Sequence, residues 1–167
     1  MKDQILNKAT EMFLTLGFKS VTMDDIAAEM GISKKTIYKY FCNKEVLIEE
    51  GTSAMHNEVY KIIDGIVAKD YNAIEENFEI RKMFKEMFKS VNDSPIYQLK
   101  KHYPEIYSKM MANKLDDCNV MFRQNIVKGI SQGLYRENLD VEKYIRFYYM
   151  LIFTINETIA SEKEALE

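Results

Sequence analysis

The segment from residue 22 to residue 44 constrains the fold of this chain more than any other. Three residues in it are good helix N-caps, and each precedes a short helix-favouring run: Thr22, Ser33 and Asn43. Gly31 separates the first two runs, at the place where two helices joined by a tight turn require a glycine-like residue. The spacing therefore predicts two short helices joined by a turn, followed by the start of a third helix.

The charge of this segment is opposite to that of the whole chain. From Gly31 to Lys44 there are four lysines and no acidic residue, whereas the 167-residue chain has a formal net charge of −3. A short basic segment on an acidic protein acts as a local electrostatic device, and the phosphate backbone of DNA is the partner that fits it best. The alternative interpretation is a helical hairpin with solvated surface lysines.

An amphipathic helix precedes the basic segment. Apolar residues recur at spacings of three and four over residues 3–16, and Gly17 follows the last of them. In the next two helices Ile26, Ala27 and Ile37 would face inward, and polar residues of the second of them would face outward. Apolar or small residues at the crossing, a glycine turn and an exposed polar second helix are the requirements of a helix-turn-helix.

The remainder of the chain also favours helix, because it contains few of the glycines and prolines that interrupt helices. The further helical patterns cover residues 44–67, 72–92, 104–132 and 141–160. The predicted fold class is all-α, with a three-helix helix-turn-helix module over residues 1–46 and a larger helical bundle over residues 47–167.

A dense set of residues in the first fifty positions keeps its spacing without gaps: Ile5-Leu6, Phe13, Gly17, Thr22, Ile26-Ala27, Gly31-Ile32-Ser33-Lys34, Thr36-Ile37-Tyr38, Tyr40-Phe41 and Lys44-Glu45. Together these residues resemble the DNA-binding domain of the TetR family of one-component transcriptional regulators. The resemblance implies a ligand-responsive homodimer that binds a palindromic operator in double-stranded DNA. It also implies a repressor that a small hydrophobic or amphipathic molecule releases from DNA, with ligand binding and dimerisation in residues 47–167.

The resemblance implies DNA contacts at eight positions. By this resemblance, Thr22, Tyr38 and Lys44 would contact backbone phosphates. Ser33, Lys34, Lys35 and Thr36 lie at the exposed start of the recognition helix, the second helix of the helix-turn-helix. Residues there reach base edges or flanking phosphates, and Lys39 lies at a further DNA-facing position. The alternative for Thr22 is a helix cap alone, and for Tyr38 it is packing against the first helix. Three or four cationic contacts per half-site would give the dimer a log–log salt slope of about −5 to −7.

Tyrosine, phenylalanine and methionine are abundant after residue 51. Most of them are ordinary core of a helical bundle, but their excess also fits a ligand pocket. In the family that the chain resembles, the middle helices would line this pocket, which predicts a lining of Phe78, Phe84, Met87, Phe88, Tyr103, Tyr107, Met111 and Phe122. An organic cation would suit such a lining beside Glu76, Glu79 or Glu86; the alternative is that these acids are solvated charges.

The final helix is apolar over much of its circumference, so it is expected to be buried on more than one side. We predict a homodimer centred on residues 141–160, with contacts from Tyr144, Phe147, Tyr148, Leu151, Ile152, Ile155 and Ile159. Similar proteins commonly follow this helix with another, whereas this chain stops at Glu167, so we expect a smaller or rearranged interface. The alternative is a helix buried wholly within its own subunit.

Signals for other classes of protein are weak. His56 and His102 belong to no short-spaced ligand set, and no phosphate-binding loop, nucleophile elbow or HExxH motif is present. We therefore predict no metal, no cofactor and no enzymatic activity. The sequence has no apolar run long enough for a membrane span, and no signal sequence is recognisable. Two cysteines do not make a disulfide framework, which favours the reducing cytoplasm. The alternative function is a protein-interaction module that keeps the helix-turn-helix without binding DNA.

Overall fold

The structure, a computed structural model, describes residues 1–87, 94–148 and 150, and this part of the chain is helical without a strand. The helices are α1 (Lys2–Leu16), α2 (Met23–Glu29), α3 (Lys34–Tyr38), α4 (Lys44–Val67), α5 (Ala73–Met87), α6 (Ser94–His102), α7 (Pro104–Ser131) and α8 (141–148 and 150). The predicted all-α fold class is confirmed. In the described ranges no helix has the length and apolar character needed to cross a bilayer.

The three predicted capping residues occupy the N-caps of α2, α3 and α4. The side-chain oxygens of Thr22, Ser33 and Asn43 each accept the backbone N–H three residues further on, at 3.2, 3.1 and 2.8 Å. These bonds satisfy amide donors that a helix start otherwise leaves without a partner. The local sequence therefore determines where each helix of the N-terminal segment begins.

The turn between α2 and α3 depends on Gly31, whose φ of 62° lies in the left-handed region that glycine adopts without strain. The next amide, that of Ile32, donates to the carbonyl of Ala27 at 3.0 Å and closes the end of α2. α3 then leaves the turn at the angle at which Ile37 points into the core with 0% of its surface exposed.

Two groups of residues make most of their contacts internally, and the first consists of Met1–Lys69 and Glu79–Leu115. Its core contains Phe13, Ile26, Ile37, Phe41, Leu47, Ile48 and Leu99. Burying each such side chain contributes about 1.5–3 kcal/mol. The first three helices therefore do not build a core by themselves, because α4 and α6 complete it. A functional division after residue 46 remains a prediction.

The second group consists of residues 70–78 together with the described residues from 116 onward. At the end of α7 the carbonyl of Gly129 accepts the amides of Leu134 and Tyr135 at 2.9 and 3.1 Å. A Cβ on Gly129 would collide with the ring of Tyr135, which lies directly over it. This close approach is the physical reason for Gly129, the first glycine of the Gly-Ile-x-x-Gly-Leu-Tyr-Arg sequence of residues 129–136.

Candidate nucleic-acid interface

The outward face of α3 carries the side chains that the sequence predicts for DNA contact. Lys34, Lys35, Tyr38 and Lys39 are exposed, and Thr36 is partly exposed. Because Ile37 is fixed in the core, the helix cannot rotate these side chains inward. The arrangement gives a short exposed helix with a positive face, as a helix-turn-helix needs for entering the major groove.

The four lysines of the basic segment differ in how free their charges are. Lys34 is already paired: its Nζ lies 2.7 Å from Oδ2 of Asp24 in α2, and this hydrogen bond raises the lysine's pKa. Among the residues that the structure describes, neither Lys35 nor Lys39 has an acidic side chain within ion-pair distance. The unpaired positive charge of α3 and its C-cap residue Lys39 is therefore concentrated on these two lysines.

Lys44 has a structural role at the start of α4. Its ammonium group donates to the carbonyl of Lys19 at 3.2 Å and lies over the rings of Phe13 and Tyr103, 5.8 and 5.7 Å from their centroids. Partial burial lowers the pKa of this lysine. A phosphate contact by Lys44 remains a prediction, and its removal would also disturb the loop after α1.

The hydroxyl groups near the predicted interface are engaged in local hydrogen bonds. That of Thr22 donates to Oδ2 of Asp25 at 2.7 Å, and this bond lowers the pKa of the Asp25 carboxyl. The hydroxyls of Ser33 and Thr36 lie 2.8 Å apart and bond to each other. A phosphate contact through Thr22 therefore requires its hydroxyl proton to turn away from the carboxylate, while the lone pair continues to cap α2.

Replacing Thr22 by glycine separates the capping role from the phosphate role. Glycine is a tolerable N-cap, so Thr22→Gly should lower the free energy of unfolding by less than about 1 kcal/mol. If the hydroxyl contacts phosphate, affinity for all DNA sequences should fall about tenfold, because a dimer loses one hydrogen bond in each half-site. Thermal melting and fluorescence anisotropy measure the two effects. With Thr22→Ser, which keeps the hydroxyl, the free energy of unfolding and the DNA affinity should both stay near native. Unchanged DNA affinity in Thr22→Gly would mean that Thr22 acts only as a helix cap.

The N-terminal segment matches a known family. Residues 5–50 fit the family model described as bacterial regulatory proteins of the tetR family. The resemblance of the chain to the TetR family of transcriptional regulators is confirmed. The prediction that the chain is not an enzyme follows from this likeness to regulators and is confirmed.

Two curated relatives of the chain are named as negative regulators. It is 24% identical over 133 residues to IcaR, the negative transcriptional regulator of the biofilm operon icaADBC of Staphylococcus aureus, covering 77% of this chain and 68% of IcaR. It is 24% identical over 160 residues to the transcriptional repressor KstR2 of Mycolicibacterium smegmatis, covering 87% and 73%. The comparisons support DNA binding and repression as its activity.

Solved structures show the same fold. A transcriptional regulator from Cytophaga hutchinsonii superposes with a TM-score of 0.78 at 19% identity, covering 93% of this chain and 80% of that one. A putative regulator from Saccharomonospora viridis, solved in complex with choline, gives 0.72 at 18% identity and covers 96% and 85%. At these identities the likeness shows the all-helical fold alone.

The residues predicted for a ligand pocket occupy different surroundings in the regulator. In the first group, Tyr103 and Tyr107 pack against the helix-turn-helix core, and Phe84, Met87 and Met111 are half-buried. In the second, Phe78 is 67% exposed and Phe122 lines a cavity, while Phe88 lies outside the described residues. Between α4 and α7, near the Lys109–Glu49 ion pair, the space is only about 10 Å³. This holds one water, so a middle-helix pocket stays a prediction.

The residues predicted for the dimer interface begin on α8. Tyr144 and Phe147 are exposed and Tyr148 is half-buried. Leu151, Ile152, Ile155 and Ile159 lie outside the described residues. Exposed aromatic side chains on this helix fit a subunit interface, and the interface remains a prediction.

A cavity of about 250 Å³ in the second group was not predicted from the sequence. It is lined by side chains from α5, α7, α8 and the segment between α7 and α8, including Asn77, Phe122, Asn125, Tyr135, Arg136, Tyr144 and Tyr148. The sequence signal was the Gly129–Arg136 stretch, which folds Tyr135 back over α7. In the described ranges no three metal-ligand side chains come together, there or elsewhere.

Proposed function

We propose that the chain is a homodimeric repressor that binds a palindromic operator through α3 and is released from it by a small hydrophobic or amphipathic molecule. The observation that carries the DNA part is the exposed face of α3 with Lys35 and Lys39 free of acidic partners among the described residues. As a regulator of transcription it would act in the cytoplasm, where bacterial DNA lies.

Recognition of a palindromic operator requires two copies of the helix-turn-helix, which supports a dimer. Two copies of one helix-turn-helix read two half-sites one helical turn apart, so operator symmetry follows protein symmetry. The exposed Tyr144 and Phe147 of α8 are available for the subunit contact. A monomer in light scattering at micromolar concentration would contradict this mode of recognition.

The decisive experiment is selection of bound sequences from a random DNA library with the full chain. We expect an inverted repeat whose half-site centres lie about 10 base pairs apart or a multiple of this. Anisotropy with the selected duplex and with a scrambled duplex of the same composition then gives the specificity ratio. Equal affinity for both duplexes would favour the protein-interaction alternative.

Salt dependence measures how many lysines contact phosphate. If Lys35 and Lys39 are the free contacts, a dimer makes about four, and the slope of log K against log salt is about −3.6. Contacts from Lys34 and Lys44 as well would steepen it to about −7. Affinities between about 50 and 300 mM potassium chloride on the selected duplex distinguish these values. A slope near zero would contradict phosphate binding by α3.

Release by a ligand requires that the ligand binds better to a conformation that cannot hold DNA. The cavity among α5, α7, α8 and the segment between α7 and α8 supports a small-molecule site, since it combines aromatic side chains with a few polar groups. Choline bound to the Saccharomonospora viridis protein supports small-ligand binding on this fold. Thermal-shift screening followed by DNA-release assays tests the response; a tight ligand that never changes DNA affinity would contradict coupling.

A further inference from the structure

Four aromatic side chains line the second group's cavity, together with the aliphatic Ile126, Leu134 and Leu139. Phe122 and Tyr148 meet edge to face with ring centroids 4.4 Å apart, and Tyr144 stacks on Tyr148 at 6.3 Å. Tyr135 lines the same cavity from the segment after α7. Aromatic walls on several sides favour a flat apolar group, because faces and edges of rings can then pack against it.

The side-chain amide of Asn125, which lines the cavity, has both of its N–H donors engaged within the protein. Its Nδ2 donates to the carbonyl of Ala73 at 2.9 Å and to Oε1 of Glu76 at 2.7 Å, and its Oδ1 accepts from the Tyr135 hydroxyl at 3.2 Å. The second oxygen of Glu76 accepts from Lys128 at 2.6 Å. The buried carboxylate is thus neutralised within the protein and does not attract a cationic ligand.

The charge that the cavity offers to a ligand comes from Arg136. This exposed side chain is the charged member of the lining, and within the described residues it has no acidic side chain at ion-pair distance. A guanidinium group binds a carboxylate through two parallel hydrogen bonds and repels an ammonium group. Asn77, half-buried in the lining, adds an amide donor.

The size of the cavity limits the ligand. At about 250 Å³ it lies just below the range of about 300–1,000 Å³ typical of drug-sized ligands. A space of this size suits one aromatic ring with a short acidic side chain better than a four-ring steroid or a long acyl chain.

We propose that this cavity, with Arg136 at its edge and the rings of Phe122, Tyr135, Tyr144 and Tyr148 as its walls, binds a small aromatic carboxylate. The proposal names the chemical class of the ligand in the proposed ligand response. Binding in the cavity is independent of the proposed function, and only the effect of the ligand on DNA binding rests on that function.

Three probes of similar size and different charge test the assignment by calorimetric titration of the full chain: phenylacetate, benzyl alcohol and phenyltrimethylammonium. We expect phenylacetate to bind once per chain, about tenfold or more tightly than benzyl alcohol, with the cation weakest. No saturable binding of phenylacetate at millimolar concentration, or tighter binding of the cation, would overturn the proposal.

Variants identify the residue that reads the charge. Arg136→Gln should weaken phenylacetate about tenfold and leave benzyl alcohol unchanged, and Arg136→Lys should lie between, because it keeps the charge without the planar fork. Arg146→Gln is the matched control, an exposed arginine of α8 outside the lining, and should bind all probes as the native chain does. Equal effects of Arg136→Gln and Arg146→Gln would overturn the proposal, and melting curves verify that each variant folds.

DNA affinity measured without and with phenylacetate separates this inference from the proposed function. Saturable, Arg136-dependent binding with unchanged operator affinity supports the cavity and contradicts the ligand response at this site. Operator binding without any phenylacetate binding supports the repressor and overturns the cavity.

Discussion

Reversing the charges of Lys35 on α3 and Lys39 at its C-cap, Lys35→Glu with Lys39→Glu, is expected to abolish specific DNA binding in a chain that remains folded. Both side chains are exposed and have no acidic partner among the described residues, so the change breaks no ion pair of the fold. In a dimer four attractive contacts become four repulsive ones. At about 1 kcal/mol or more for each, the affinity should fall at least about a thousandfold. Anisotropy with the selected duplex measures the loss.

The matched control makes the same change in net charge on other helices. Lys85→Glu with Lys114→Glu alters two exposed lysines of α5 and α7, outside the helix-turn-helix. We expect an affinity within a few-fold of native, because charges beyond a Debye length of about 8 Å are largely screened at physiological salt. If both double variants lost binding equally, net charge rather than α3 would govern it. If neither lost binding, the DNA would contact another surface.

Removing Lys128 should destabilise the chain more than removing a lysine from an exposed ion pair. Lys128 bonds one oxygen of Glu76, whose side chain is only 4% exposed, and Asn125 bonds the other. Lys128→Met leaves a buried carboxylate without its counter-ion. We expect the free energy of unfolding to fall by about 2–3 kcal/mol, below the 3–5 kcal/mol of fully buried pairs because Lys128 itself is partly exposed. Denaturant titration measures it.

Two further variants show whether the charge or the packing is responsible. Adding Glu76→Gln to Lys128→Met removes the orphan charge, so most of the lost stability should return. Lys143→Met is the control, since its partner Asp140 forms an exposed pair three residues away, worth at most about 0.5 kcal/mol. A Lys128→Met variant as stable as native would mean that the buried carboxylate is satisfied without the lysine.

The helix boundaries of the N-terminal segment could be predicted because their causes are local. Thr22, Ser33 and Asn43 each bond an amide three residues away, and such a bond is written in the spacing of the sequence. The inward face of α3 was predictable for the same reason, since Ile37 and Phe41 lie one helical turn apart.

Features formed by residues distant in the chain could not be predicted in this way. Asp24 pairs with Lys34 from another helix, ten residues earlier in the chain. It therefore lies outside the segment from Gly31 to Lys44, which has no acidic residue and within which the sequence does not distinguish the four lysines. Leu99 completes a core whose other members end at Ile48. Helical periodicity indicates that a face is apolar, but not whether the opposing side chains fill the space; the cavity beside Phe122 depends on that difference.

The shared core of α1–α4 and α6 has a consequence for engineering. A chimera joined after residue 46 would separate Phe13 and Phe41 from Leu47, Ile48 and Leu99, with which they are buried. The loop after α1 would also lose Gln98, which accepts the amide of Lys19 at 2.9 Å. Operator preference is therefore better transplanted as a few outward side chains of α3 than as a segment, because those positions can be exchanged without cutting the hydrophobic contacts beneath them.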